Sequence, residues 1–213
     1  MWQFIRDRWQ DIAYSSYQHV SLVVQSIILA TIIAIAIAVL VTSYRRLEPI
    51  ANAISAVGLT IPSFALLGLL LPLLGIGAGP SVVLVVFYAT LPILRNAVVG
   101  LQGVDRDLIE SARGMGMGPA TTFFRVRLPL AWPVTLAGLR VSTQMSMGVA
   151  AIAAYALGPG LGPYIFTGLT QIGGANALNY TLVGTVGIII LALILDAILL
   201  LIGRLTTSRG IRV

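Results

Sequence analysis

Long runs of apolar residues, separated by short polar stretches, dominate the pattern of the chain. A helix needs roughly 20 mostly apolar residues to cross the hydrocarbon core of a membrane. Such runs predict five membrane-spanning helices, at about residues 20–41, 50–74, 81–100, 130–157 and 181–205. The runs are continuous rather than alternating, which is typical of spanning helices and not of barrel strands. The sequence therefore predicts an all-α integral membrane protein.

The composition agrees with this fold class and limits the chemistry. Of 213 residues, 58% are hydrophobic and 9% are charged, whereas soluble domains carry about 25% charged residues. Cysteine is absent and His19 is the single histidine, so no cysteine-based or paired-histidine metal site is predicted. An enzyme would need converging acid, base or metal groups, which the spans lack. We therefore expect no catalytic residues and no cofactor or metal in this chain.

The arginines predict the orientation in the membrane. Nine of the 13 arginines follow the first, third or fifth span, and only Arg6 and Arg8 lie on the other side. Positive charge concentrates on the cytoplasmic side of membrane proteins, so the N-terminus is predicted outside and the C-terminus in the cytoplasm. Because the location of the arginines explains the net charge of +6, no nucleic-acid partner is predicted.

This topology divides the chain into three parts. Residues 1–19 form an external segment whose apolar positions suit a helix at the membrane surface. Residues 20–205 form a single transmembrane domain that includes a long cytoplasmic loop at 101–129. Residues 206–213 form a cytoplasmic tail.

Small residues recur every four positions on two of the spans. Residues four apart share one face of a helix, and small side chains let helix backbones approach closely in lipid. Chance in an alanine-rich chain is the alternative explanation. We predict packing seams at Ser26, Ala30, Ala34, Ala38 and Thr42, and at Gly138, Ser142, Ser146, Ala150 and Ala154.

Two opposite charges lie inside predicted spans. Arg140 is about 16 Å into the fourth span at 1.5 Å per residue, and Asp196 lies at a comparable depth in the fifth. Charges inside a membrane are costly, so they usually pair or face a wet cavity. We predict contact between Arg140 and Asp196, either as a structural ion pair or as part of a gate or path.

The segment Glu110–Pro129, "ESARGMGMGPATTFFRVRLP", is a polar interruption of an otherwise apolar chain. Its glycines suggest a phosphate loop, but such loops follow a strand and open a helix. Here the glycines follow a short predicted helix with Asp105 as its N-cap and Gly114 or Gly116 as its C-cap. A solvated connector would explain the charge but not the ordered small residues, glycine and terminal Leu-Pro.

The segment resembles the EAA signature, which is the cytoplasmic loop of inner-membrane permeases of ATP-binding-cassette importers. Glu-Ser-Ala is followed after three residues by Gly116, after nine more by Val126, and then by Leu-Pro one residue later. Five spans also resemble the core of type I importer permeases. Four further stretches are similar to the osmoprotectant branch of these permeases, namely Ile61–Gly77, Tyr88–Asp105, Ala112–Met117 and Gly158–Gly162.

The resemblance implies a multi-pass protein of the bacterial inner membrane that docks on separate ATPase subunits, which bind ATP and magnesium. It also implies a second permease chain, identical or related, and an external solute-binding protein. The implied solutes are glycine betaine, carnitine, choline or proline-type compounds, and an amino acid such as methionine is the alternative. The implied docking residues are Glu110, Ser111, Ala112, Met115, Gly116, Met117, Leu128 and Pro129.

Four side chains are candidates for lining the path or its gate. Aromatic faces and methionine side chains can contact a quaternary ammonium group. Simple packing is the alternative role for each of them. The candidates are Tyr88, Met145, Met147 and Tyr155.

Overall fold

The computed structural model describes residues 1–207 and is helical almost throughout. Residues 208–213, which include Arg209 and Arg212 of the predicted tail, lie outside the described residues. The described part forms nine α-helices, joined by short turns and 3-10 or π segments. They are α1 (Trp2–Ser43), α2 (Glu48–Thr60), α3 (Ser63–Leu74), α4 (Ala78–Gln102), α5 (Arg106–Gly114), α6 (Pro119–Thr122), α7 (Leu128–Ala153), α8 (Gly162–Thr170) and α9 (Ala177–Thr206).

Helix α4 is the centre of the bundle, since most of its side chains are buried and its main neighbours are α1 and α7. Both predicted seams are buried, apart from the half-buried Thr42. The Ser142 hydroxyl donates to the Ala89 carbonyl of α4 at 2.7 Å, and a Cβ added at Gly138 would lie 2.6 Å from the Asn96 Cβ. Small side chains on α7 thus allow its close approach to α4.

Helix α1 is longer than the predicted first span. The apolar pattern predicts a boundary between residues 1–19 and this span, but the helix continues from Trp2 to Ser43. No glycine or proline interrupts this stretch, so nothing ends the helix at residue 19. Its first turns pack on the start of α9, where the Phe4 and Tyr180 rings lie 4.7 Å apart. Arg8 covers both rings at 5.2 Å. Residues 1–19 therefore continue the first helix, and Phe4 and His19 are its buried side chains in this part.

The predicted second span is two helices, α2 and α3, that meet at 95°. Pro62 causes this break, because a residue before proline avoids the helical region and proline cannot donate to the preceding turn. Ile61 is accordingly extended. The Tyr88 hydroxyl of α4 donates to the Ile61 carbonyl, which supplies a partner for a backbone group at the break.

His19 joins three parts of the chain. Its ring is fully buried, and Nε2 donates to the Met147 carbonyl of α7 at 3.1 Å. The Leu161 N–H donates to Nδ1 at 3.3 Å. The backbone of Gly160 passes so close that an added Cβ would lie 2.6 Å from Nδ1. The histidine therefore holds the segment after α7 against α1.

Three described helices, α1, α4 and α9, are long and apolar enough to cross a membrane, and the bent pair α2–α3 would be a fourth if it forms one span. Helix α7 covers the predicted fourth span up to Ala153 but is less apolar, because Arg140 and several hydroxyl side chains interrupt it. The last predicted residues, 154–157, form a 3-10 turn and the residue after it instead. Side-chain contacts bring together the start of α2, the end of α4, the start of α7 and the end of α9.

Candidate coupling loop and ion pair

Helix α5 has caps at both ends that its sequence explains. The Asp105 carboxylate accepts from the Asp107 N–H at 2.9 Å, which is the predicted N-cap. At the other end, Met117 N–H donates to the Ala112 carbonyl at 3.1 Å and Gly116 N–H to the Arg113 carbonyl at 2.9 Å. This pair of bonds defines a Schellman motif, with Gly116 at the left-handed position, φ 83°. Gly116, and not Gly114, is therefore the turn glycine.

The predicted docking residues differ in their exposure. Glu110, Ser111, Met115, Gly116 and Pro129 are exposed, and Met117 and Leu128 are half-buried. Ala112 is buried against its own chain, so its small side chain serves packing within this protein and is not free for a partner. Helix α5 otherwise presents nearly all its side chains to solvent.

The chain after α5 is helical from residue 119 to residue 153 without a break. Within this run, residues Phe123–Arg127 form a π turn, in which Leu128 N–H donates to the Phe123 carbonyl. Pro129 explains the wider turn. It has no N–H to donate, and in an α-helix its ring would clash with the carbonyl four residues earlier. The predicted fourth span begins at Leu130, so the apolar pattern does not predict this helical extension.

Arg127 links the π turn to the end of α4. Its Nη2 donates to the Leu101 carbonyl at 3.4 Å, whereas its buried Nε has no partner in the described part of the chain. Arg127 also lines a groove between α5 and the π turn, and Glu110 lies on the same groove. The other lining residues are Arg106, Ile109, Arg113, Pro119 and Thr122. Motif spacing alone did not identify this groove, because it forms only when α5 folds back onto α6.

Arg140 and Asp196 form the contact expected from the sequence. The guanidinium Nε and Nη2 donate to the two carboxylate oxygens at 2.8 and 2.9 Å. Such bidentate geometry is among the strongest for a charge pair. The side chains are 33% and 17% exposed. The pair joins α7 to α9, which otherwise has few buried residues.

The four candidate path residues do not share one surface. Tyr88 and Met147 are buried in the core, and Met145 is half-buried. Tyr155 is exposed in the turn after α7 and contacts two phenylalanines, Phe64 of α3 and Phe166 of α8. No sequence pattern singles out these two phenylalanines. The sequence gives little indication that the three rings are in contact, because their contact depends on the Pro62 break and on the turn after α7.

The chain is similar to known proteins along most of its length. The profile of the family described as "Binding-protein-dependent transport system inner membrane component" matches residues 26–208. The choline transport system permease protein OpuBB of Bacillus subtilis (strain 168) is 37% identical over 210 residues, covering 99% of this chain and 95% of the relative. The glycine betaine/carnitine/choline transport system permease protein OpuCB of the same organism is 34% identical over 212 residues, covering 100% and 96%.

A chain of the methionine ABC transporter MetNI, solved in inward-facing conformations, has a similar structure. The TM-score is 0.78 at 23% sequence identity, over 92% of this chain and 96% of that chain. At this identity the similarity establishes the fold only. Together with the three or four apolar helices, these findings identify a multi-pass protein of the bacterial inner membrane and a permease of the osmoprotectant branch of ABC importers. The chain belongs to the family of binding-protein-dependent transport system inner membrane components.

Proposed function

We propose that this permease forms the membrane path of an ATP-driven importer for quaternary ammonium osmoprotectants. One observation carries the choice of solute, namely similarity along nearly the whole chain to two permeases whose names specify choline and glycine betaine, carnitine or choline. The protein itself carries no catalysis in this proposal, since the ATPase subunits bind ATP and magnesium.

The proposed topology has five spans, with the N-terminus outside. The bent pair α2–α3 is the second span and α7 is the fourth, so that α1, α4 and α9 complete the set. The contacts among the helix ends support this arrangement. The ends that the arginine pattern assigns to the cytoplasm, at α2, α4, α7 and α9, lie together. His19 ties the start of the first span to the segment after α7.

The loop 101–129 is proposed to couple this path to the ATPase. Helix α5 has an exposed surface with Glu110, whose carboxylate can accept hydrogen bonds from basic side chains in a groove of an ATPase subunit. Its Schellman turn fixes the direction of the chain before α6. Since residues 119–153 are one helical run, a displacement that passes from α5 through this turn to α6 would also move α7. The assembly would contain two permease chains, two ATPase subunits and an external solute-binding protein.

The ion pair is proposed to hold α9 against α7 within the membrane. Arg140 and Asp196 satisfy each other with two hydrogen bonds, which lowers the cost of placing either charge in lipid. Nothing in its geometry requires a change of partner during transport, so we assign it a structural role.

Uptake by the complete transporter, reconstituted in liposomes with its binding protein, tests the proposed function. We expect ATP-dependent accumulation of choline or glycine betaine, whereas methionine should neither accumulate nor compete. Accumulation of methionine instead would show that the solute class is wrong while the assignment as an importer stands. No ATP-dependent uptake of either class would contradict the function itself.

Two substitutions in the coupling loop are expected to uncouple transport. Glu110→Ala removes a charged acceptor, which is worth roughly 1.5–3 kcal/mol in a hydrogen bond, so solute-stimulated ATPase and uptake should fall at least about tenfold. Gly116→Ala places a side chain at φ 83°, which costs about 1–2 kcal/mol and should reduce coupling less. Both activities are measured on proteoliposomes.

Gly114→Ala is the matched control for the turn. Gly114 is two residues earlier and within the helix, and an added Cβ there meets nothing within 4 Å. Gly114→Ala should therefore leave coupling intact. Gel filtration of every variant checks that it still inserts and folds. Unchanged uptake in both Glu110→Ala and Gly116→Ala would show that this loop does not couple.

A further inference from the structure

Three aromatic rings meet where α3, the turn after α7 and α8 come together. The ring centroids of Phe64 and Tyr155 are 4.9 Å apart, those of Tyr155 and Phe166 6.0 Å, and those of Phe64 and Phe166 6.4 Å. The rings are tilted by 54–59° to one another. We call these three residues the aromatic triad. Phe64 is about a hundred residues from the other two in the sequence, so only the fold assembles the three rings.

The triad is an open surface rather than part of the core. Phe64 is 46% exposed and Tyr155 is 62% exposed, and Phe166 is half-buried. In the described residues, the cation–π contacts are those of Arg8 with Phe4 and Tyr180, so no arginine covers the triad. Its π surface is available to a cation from outside the chain.

The position of the triad relates it to the proposed path. Phe64 is in the first turn of α3, directly after the Pro62 break. Tyr155 precedes the Gly158–Gly162 segment, which His19 fixes through Leu161. The Gly77 N–H, just before α4, donates a hydrogen bond of 2.7 Å to the carbonyl of Ala156, the residue after Tyr155. Tyr155 therefore lies at the end of the bundle that the arginine pattern assigns to the outside, where a solute would enter, and Phe64 joins it from the middle of the proposed second span.

We propose that the aromatic triad is a binding site for the quaternary ammonium group of the solute at the external end of the path. This inference rests on the proposed function and names residues for its solute specificity. A cation is attracted to an aromatic face within about 6 Å of the ring centroid. Because the triad centroids are 4.9–6.4 Å apart, a cation resting on the triad comes within that range of more than one ring.

The site is suited to passage rather than to tight capture. The rings touch one another, so the cation lies over their outer surface and keeps part of its contact with water. At such an exposed site each ring contributes roughly a two- to fivefold gain in affinity. A weak site lets the solute leave toward the cytoplasm after the binding protein has released it.

Binding is tested on the complex of permease and ATPase in nanodiscs, without the binding protein. The probes are tetramethylammonium and choline, followed by saturation-transfer NMR, with neutral 3,3-dimethylbutan-1-ol as the carbon analogue of choline. We expect saturation of the trimethylammonium protons for the cations and much weaker transfer to the alcohol. Equal transfer to the alcohol would overturn the proposal, since it would show that the surface binds apolar groups without regard to charge.

Substitutions identify the residues. Tyr155→Leu should weaken tetramethylammonium binding roughly two- to fivefold and raise the KM for choline uptake, whereas Tyr155→Phe keeps the ring and should retain both. Tyr14 is equally exposed, at 62%, but lies on α1 outside the triad, so Tyr14→Leu is the matched control. If Tyr155→Leu fails to assemble, Phe64→Leu tests the same surface, and the comparison of ligands on the unmodified complex stands regardless.

The outcomes separate this inference from the function. Wild-type transporter that imports choline, with cation binding unaffected by Tyr155→Leu and Phe64→Leu, would overturn the triad alone. Wild-type transporter that imports no quaternary ammonium solute would contradict the proposed function. Loss of the permease dimer in both triad variants, with unchanged cation affinity in the remainder, would assign the triad to subunit contact instead.

Discussion

Replacing Asp196 with alanine is expected to reduce the stability and yield of the folded permease severely. The substitution leaves the Arg140 guanidinium without its bidentate partner, which now sits at 2.8 and 2.9 Å. Breaking a fully buried pair costs about 3–5 kcal/mol. Arg140 is 33% exposed, so the expected loss is smaller, about 2–3 kcal/mol, which is similar to the cost of inserting an arginine at mid-membrane.

The measurement is thermal stability of the purified permease in detergent and in nanodiscs, together with its yield in membranes. The double variant Arg140→Leu/Asp196→Leu is the control, because it removes both charges and leaves neither unpaired. It should recover most of the stability, as replacing a buried pair by apolar residues is often neutral. If the double variant is as unstable as Asp196→Ala, the pair has a role beyond mutual neutralisation. If Asp196→Ala is as stable as the unmodified protein, the prediction is wrong, and Arg140 is stabilised by a partner other than Asp196.

Gly162→Ala is expected to destabilise the packing of α8 on α7 by about 3 kcal/mol, at the upper end of the usual cost of overpacking. An added Cβ would lie 2.3 Å from the Ala151 carbonyl oxygen and 2.5 Å from the Ala154 Cβ. The first of these is backbone, so a change of rotamer cannot relieve the clash. The helices must separate, which also disturbs the neighbouring contact between Leu161 and His19.

Gly148→Ala in α7 is the matched control for Gly162→Ala. An added Cβ at Gly148 meets nothing within 4 Å, so the same chemical change should alter stability by less than about 1 kcal/mol and favour the helix. Both variants are compared by thermal unfolding and by gel filtration. Equal stability of the two would show that α8 moves away from α7 without penalty, and that this contact is not part of the bundle core.

Much of the fold could be predicted because periodicity and charge act locally. The small-residue seams, the Asp105 cap and the contact of Arg140 with Asp196 follow from spacing and from the cost of unpaired charge in lipid. The Gly158–Gly162 segment was recognised only as a resemblance. The structure explains why this segment contains three glycines. The backbone at Gly158, Gly160 and Gly162 lies too close to another part of the chain for a side chain to fit.

Other features depend on contacts that no local pattern contains. Pro62 indicated an interruption of the second span, but the angle of 95° follows from how α2 and α3 each pack against α4. Residues 1–19 lack a long apolar run, so the apolar pattern does not join them to the predicted first span. Phe4 nevertheless packs on Tyr180, near the other end of the sequence. The aromatic triad escaped prediction for the same reason, since Phe64, Tyr155 and Phe166 meet only in the folded chain.

The burial of His19 has a consequence for the order of assembly during synthesis. Its ring is near the beginning of the chain, but its partners, Met147 and Leu161, follow 128 and 142 residues later. At roughly 5–20 residues per second, the ribosome needs about 7 to 28 s to reach Leu161. Throughout that interval the first helix can enter the membrane while its imidazole lacks both of these partners. The imidazole is therefore buried against both partners only after Leu161 has been synthesised.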